Sequence, residues 1–374
     1  DVKIVLSTVR KALHDTSRKD SVAFMRALNL LARLCKSRAV CMSLLESGEE
    51  LDFITKSISG NDPLLVLSLI EMLPELFVLE SDDEVVTKML IWFRDFNLMT
   101  TLLSYACVTD STNNDAFASM FEAPSLRVVS HVLALDRRGM RLFGEKTHQQ
   151  FLSRLKDRIN CDDDAVSSAA LKSIEWYCSK CDETIWNMLL RHSAGVFDGV
   201  IRLAFGRKVK VLAAAAALRT VASLLESMKS FMDSSNDDVD MSTLSLKLYD
   251  GVGGMVSLLK VVHTSFEISH QHATCEVLCA CSKHNVLLKR MLTESDAFRN
   301  YLSKTPSSTS TDLRVRDWAI CTVVYIMQNK SSRSLIDGMC DEGYVKDLGN
   351  IVDVAAGKRR APAAEPEFRV DSVV

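Results

Sequence analysis

Proline and glycine are scarce, at six and 14 of 374 residues. That is too few for the many tight turns of an all-β protein, whereas long helices joined by short loops need few of either. An excess of one charge is lacking too. With a formal net charge of −3, nothing draws the chain as a whole towards phosphate, so neither nucleic acid nor a membrane surface is an expected partner. No apolar run approaches the ~20 residues that a bilayer-crossing helix needs. No signal peptide is seen, and the 11 cysteines sit mostly in apolar helical stretches, where a free thiol behaves as a small hydrophobe. The odd count and the size favour a reducing compartment, the cytoplasm with the nucleus as a further option, over a disulfide framework. The chain opens at Asp1 already in a helical pattern, which predicts residues missing upstream.

Catalytic signatures are missing as well. There is no Gly-x-Ser-x-Gly elbow and no Gly-rich loop shaped to cradle a phosphate, and no nucleophile stands beside a base and an orienting acid at a shaped turn. The chain is therefore expected to be no enzyme, with no cofactor, no metal and no catalytic residue assigned.

What is there is apolar periodicity. Hydrophobic residues make up 47% of the chain and charged ones 25%, enough to bury a large core. A chain of this length splits into globules unless it is a repeat array, which grows by stacking. Met25, Leu28, Leu31, Ala32 and Cys35 step by three and four and share one helix face, with Arg26, Asn29 and Arg33 on a neighbouring one. Met42, Leu44 and Leu45 then end a short helix, Ser47-Gly48 breaks it, and Leu51, Phe53, Ile54 and Ile58 open another. In the loop Ser59 to Pro63, Asn or Asp can cap a helix and Pro fits a first helical turn; the helix that follows, Leu64 to about Phe77, contains Pro74, expected to kink it.

The order returns with Met140, Leu142 and Phe143, a break at Gly144-Glu145-Lys146, then Phe151, Leu152, Leu155 and Ile159, the run Asp162 to Asp164, and Val166, Ala170, Leu171 and Ile174. Leu44 to Leu142 and Phe53 to Phe151 share one offset, which two units of about 40–50 residues explain, the armadillo/HEAT range. Further units are expected to start near Lys19-Asp20-Ser21, Glu122-Ala123-Pro124, Gly206-Arg207-Lys208 and Thr311-Asp312-Leu313. Trp318, Val323, Ile326, Leu335 and Ile336 continue the last. Polar loops around 108–115 and 233–240 are expected as surface insertions. These features predict an all-α, armadillo/HEAT-like right-handed superhelical solenoid over 1–354. A disordered tail is expected over 355–374, where Lys358-Arg359-Arg360 is a candidate nuclear address.

Three groups of side chains invite chemistry. Cys178-Ser-Lys-Cys181 has half-zinc or redox spacing, but lacks a second ligand pair and a strand leading into a helix; core packing explains it better. His270, His272, Cys275, Cys279, Cys281 and His284 are the densest set of potential ligands, yet Val277, Leu278 and Ala280 continue a buried helix, so buried cysteines with surface histidines are expected. Asp162 to Asp164 offer three carboxylates, of which one is explained by capping. Gly251-Val-Gly-Gly254 marks a helix boundary.

A solenoid offers instead a surface made from the last helix of each unit, stacked side by side. Its candidate partner-binding residues are Asn29, Arg33, Glu71, Glu75, Arg127, His131, Lys172, Glu175 and Arg219, each of which a merely solvated face also explains.

The chain resembles the proteasome regulatory subunit 5 family, non-ATPase chaperones of the proteasome base. The likeness lies in Asn114-Asp-Ala-Phe-Ala-Ser-Met-Phe-Glu-Ala-Pro124, in the order Gly139-Met-Arg-Leu-Phe143, Phe151-Leu-Ser-Arg-Leu155 and Leu171-Lys-Ser-Ile174, and in Lys289 to Leu302 and Gly343 to Leu348. It is spread over most of the chain as element order and apolar spacing, and the family's N-terminal repeats are not evident. The resemblance implies a monomeric chaperone, without nucleotide of its own, that grips the C-terminal domain of a base AAA-type ATPase subunit and keeps it from docking early. A nuclear-import receptor would repeat a Trp/Asn pair, and Trp186-Asn187 occurs once. A trafficking or cytoskeletal scaffold with an unrelated partner remains an alternative, and an enzyme built on the His/Cys group would bind metal.

Overall fold

The structure, a computed structural model, describes residues 7, 11, 21–60, 62–76, 82–106, 118–136, 142–179, 186, 188–189, 194–205, 211–234, 239–308 and 311–357. Every regular element among them is helical. The fold is an all-α solenoid of the armadillo/HEAT kind, in which a repeat consists of two shorter helices and a third, usually longer one. The described residues divide into two compact units, residues 1–199 and 200–374.

In the first unit the helices are α1 (Ser21–Leu34), α2 (Arg38–Leu45), α3 (Gly48–Ile58), α4 (Pro63–Leu76), α5 (Asp83–Asp95), α6 (Leu98–Tyr105), α7 (Ala118–Leu135), α8 (Gly144–Ile159) and α9 (Asp164–Ser179). Third helices stack on third helices, α1 on α4, α4 on α7 and α7 on α9, while α2 stacks on α5. The loop before α4 behaves as its residues dictate. Asp62 accepts the amides of Leu64 and Leu65, and Pro63, which has no N–H to lose there, is the first helical residue. Pro74 stands two residues before the helix ends at Leu76, and Phe77 lies outside the described residues. Asp82 caps α5 in the same way, accepting from Glu84 and Val85, and Asp163 of the acidic run caps α9, accepting from Ala165 and Val166. Each such cap is worth about 1 kcal/mol.

A helix spanning the division, α10 (Ala194–Phe205), is followed in the second unit by α11 (Val211–Ser234), α12 (Val239–Gly251), α13 (Gly254–Thr264), α14 (Ile268–Ser282), α15 (Asn285–Glu294), α16 (Asp296–Lys304), α17 (Leu313–Gln328), α18 (Lys330–Met339) and α19 (Glu342–Ala355). Three ladders run through it. First helices stack as α12–α15–α18, second helices as α13–α16–α19 and third helices as α11–α14–α17. Each complete repeat here is about 45 residues. Between α12 and α13 the chain turns through Gly253 and Gly254, at φ +80° and +62°, where a side chain would be strained.

Several boundaries differ from the sequence expectation. Glu122-Ala123-Pro124 starts no unit: all three lie inside α7, Pro124 included, because the apolar stripe Phe121, Leu126, Val128, Val129 and Val132, all buried, carries the helix through. Glu145 and Lys146 are in the first turn of α8 rather than in a break; the turn is Leu142–Phe143 and Gly144, at φ +71°. Of the expected loop 233–240, Asp233 and Ser234 end α11, and Val239 and Asp240 begin α12. Lys19, Asp20, Gly206–Lys208, the loop 108–115 and all of the expected tail beyond Gly357 lie outside the described residues. Ala355 closes α19, and Ala356 and Gly357 cap it through the carbonyls of Val352 and Val354. No helix among the described residues is long and apolar enough to cross a membrane.

Candidate interaction surface on the third helices

A third helix has third-helix neighbours beside it and its repeat's shorter helices behind it, which leaves one face uncovered. Helical spacing decides which residues occupy that face. On α1 it carries Arg26, Asn29, Leu30 and Arg33, all exposed. On α4 it carries Leu64, Ser68, Glu71 and Glu75, and on α7 Met120, Pro124, Arg127 and His131, in both cases at steps of four, three and four. On α9 it carries Ser168, Lys172, Glu175 and Trp176. Eight of the nine sequence-predicted residues therefore stand on four consecutive stacked helices of the first unit. Arg219 is exposed on α11 in the second.

The two units use this face differently. In the first, Asn29, Arg33, Glu71, Glu75, Arg127 and Lys172 make no side-chain hydrogen bond or ion pair to another described residue. His131 is engaged: its ring stacks on Trp176 of the next third helix, centroids 4.7 Å apart and planes 13° from parallel, and both rings are half-buried. In the second unit charges close on one another between α11 and α14, whereas Arg314 and Asp317 of α17, both exposed, pair with no other described side chain. Arg219 of α11 faces Glu276 of α14 at 3.7 Å and reaches the Ser269 carbonyl. Lys283, at the C-terminal cap of α14, donates to Glu226 of α11 at 2.5 Å and lies over the Tyr325 ring of α17. Burial holds the Glu276 carboxyl above its ordinary value, opposed by Arg219.

Sequence reasoning missed two features. Trp176 was hidden within an apolar run, and its helical step from Lys172 was the available signal. The buried group Asp136, His148 and Tyr177 could not have been paired from spacing. His148 Nδ1 meets the Tyr177 hydroxyl at 2.7 Å, its Nε2 lies 3.8 Å from Asp136, and Asp136 accepts the Phe143 amide. The three join α7, α8 and α9 in the core.

The His/Cys group is a packing and capping assembly. Cys275, Cys279 and Cys281 are buried, and burial raises all three thiols, Cys275 to about 12, away from the thiolate form a metal or a substrate would need. The histidines are not on the surface as expected. His272 and His284 are buried and His270 is half-buried, because each has a partner within the fold. His272 Nε2 meets Asp312 at 2.9 Å, and Asp312 also accepts the amides of Arg314 and Val315 as the cap of α17. His284 Nε2 donates to the Leu225 carbonyl of α11 at 2.8 Å, so its neutral form carries the proton on that nitrogen. No group of three or more metal-ligating side chains is assembled among the described residues. Cys178 is buried core, and Cys181 lies outside the described residues. Trp186 is buried rather than groove-lining; Asn187 is also outside them. An open groove of about 670 Å³ between the end of α17, α18 and α19, lined in part by Met327, Arg333, Asp337, Val345, Gly349 and Val352, holds none of the predicted residues.

No family model and no curated protein matches the chain. Among solved structures, a designed armadillo repeat protein in complex with the peptide (KR)4 is 12% identical, with a TM-score of 0.46 over 73% of this chain and 98% of that one. A computationally designed armadillo repeat protein for modular peptide recognition is 13% identical, again with a TM-score of 0.46 over 73% and 98%. An engineered protein is 15% identical, with a TM-score of 0.45 over 74% and 97%.

Proposed function

We propose that this chain is a protein-binding scaffold that holds its partner on the third-helix ladder of the first unit. One observation carries the reading: exposed charges on successive stacked helices are left without a described partner there, whereas between α11 and α14 of the second unit Arg219 meets Glu276 and Lys283 meets Glu226. Open charges steer an encounter and select among partners, and apolar anchors hold it. Leu30, Leu64 and Met120, exposed on the same faces, are the anchors available.

The narrower reading follows from the family resemblance. The partner is then the C-terminal domain of an AAA-type ATPase subunit of the proteasome base, and the chain is an assembly chaperone with no chemistry of its own. Affinity purification of the tagged chain, with mass spectrometry of what accompanies it, tests both levels. Base ATPase subunits without core-particle subunits are expected, and their consistent absence removes the chaperone reading. Retention of every partner by a Glu71→Lys/Glu75→Lys/Arg127→Glu variant removes the ladder.

A further inference from the structure

The open charges of the first unit are not scattered by sign. Each of α1, α4 and α7 contributes a block. On α1 it is basic, with Arg33 beside Asn29 and Arg26; on α4 it is acidic, with Glu71 and Glu75 one turn apart. On α7 it is basic again, with Arg127, while α9 carries both signs, Lys172 and Glu175. The blocks follow the stacking order α1, α4, α7, and the uncovered face is common to these helices. Glu75 on its helix and Arg127 on the next are not drawn together in the folded chain, although a Glu–Arg contact between stacked third helices is what Arg219 and Glu276 make in the second unit.

Resting on the scaffold reading, we infer that this ladder is a register for an extended protein segment whose own charges run acidic, basic, acidic. Packed helices stand about 8–10 Å apart, and an extended chain advances about 3.3 Å per residue. Each rung therefore meets about every third residue of the segment, with the basic block at its centre over Glu71 and Glu75. The acidic flanks face Arg33 on one side and Arg127 on the other. The order is the same read from either end, so it places no demand on the direction in which the segment lies. A partner with the lysines displaced to one end would set like charges against like at two rungs at once, a repulsive element that selects by exclusion.

Three synthetic peptides test this on the intact chain at low ionic strength, by titration calorimetry: Glu-Glu-Ser-Lys-Lys-Ser-Glu-Glu, the same composition reordered as Lys-Lys-Ser-Glu-Glu-Ser-Glu-Glu, and a uniformly acidic Glu-Glu-Ser-Glu-Glu-Ser-Glu-Glu. The first is expected to bind about tenfold more tightly than either of the others, with an advantage that shrinks as salt is raised. The Glu71→Lys/Glu75→Lys variant is expected to invert the ranking, preferring the uniformly acidic peptide, an inversion that a general loss of folding cannot produce. Equal affinity for all three, or binding of none, overturns the inferred order. If capture of protein partners still falls in the ladder variant while the peptides are unranked, the charge order fails and the scaffold reading stands; if neither changes, both fail.

Discussion

Arg219, on a third helix of the second unit, and Lys283, capping the end of the next, each find a carboxylate on the neighbouring rung. Arg33, Glu71, Arg127 and Lys172, on the corresponding helices of the first unit, find none among the described residues. The same repeat, with the same stacking, thus closes charges between α11 and α14 and leaves Arg33, Glu71, Arg127 and Lys172 open. Exposed ion pairs contribute little stability, from zero to about 1 kcal/mol each, so folding does not require either solution. What separates these charges is their availability to a partner, and on that difference the proposed binding by the first unit rests.

The comparison can be broken most severely from the second unit's interior. Phe298 on α16 is fully buried, and Phe298→Ala is expected to cost about 3–5 kcal/mol, read by denaturant melts, without touching the ladder of the first unit; a loss of partner capture in a variant that remains folded would contradict the assignment of binding to that ladder. Next is Asp312, which caps α17 and holds His272 of α14. Asp312→Ala removes both and should cost about 1–2 kcal/mol, while Asp312→Asn keeps the cap and should cost less.

Acid sharpens the contrast further. Burial depresses His284 below its ordinary value of 6.5, opposed by the Leu225 carbonyl, and burial likewise depresses His270. Below pH 6.5 the unfolded chain takes up these protons before the folded one does. The stability they confer is complete above that pH and falls as pH drops towards the folded values. Asp312, held below its ordinary 3.8 by His272 and by backbone amides, adds a second loss at lower pH, as its carboxylate is protonated. A stability–pH profile should therefore decline below pH 6.5, and His284→Leu should flatten part of that decline; an unchanged slope would show that His284 does not cause it. The smallest effect is expected from the ladder pairs: Lys283→Met, which breaks the contact with Glu226, should change stability by less than about 1 kcal/mol and leave partner capture as it was.

Much of this was legible in the residues. The stripe Leu28, Leu31, Ala32 and Cys35 is buried as its spacing requires, and Asn29 and Arg33 are exposed beside it. The period survived because stacking demands the same apolar positions in each repeat. Boundaries were harder. Pro124 looks like a start, but a helix packed on both sides by α4 and α9 gains more from burial than it loses at one missing N–H. The histidines of α14 were misplaced for a related reason. Period alone cannot say that Asp312, 40 residues on, arrives to satisfy His272 inside the fold. Nor could sequence distinguish an open charge from a closed one, since Arg219 and Arg127 both have glutamates on an adjacent rung, and only Arg219 meets one, Glu276.

The most direct measurement is made on the Glu71→Lys/Glu75→Lys variant, with its melting midpoint and its capture of partner protein determined side by side. Unchanged stability with capture reduced about tenfold or more is the expected result, because these carboxylates support nothing within the fold and face outward on the ladder. A variant that melts as before and retains every partner at the parental level would contradict the claim that this face is where the protein works.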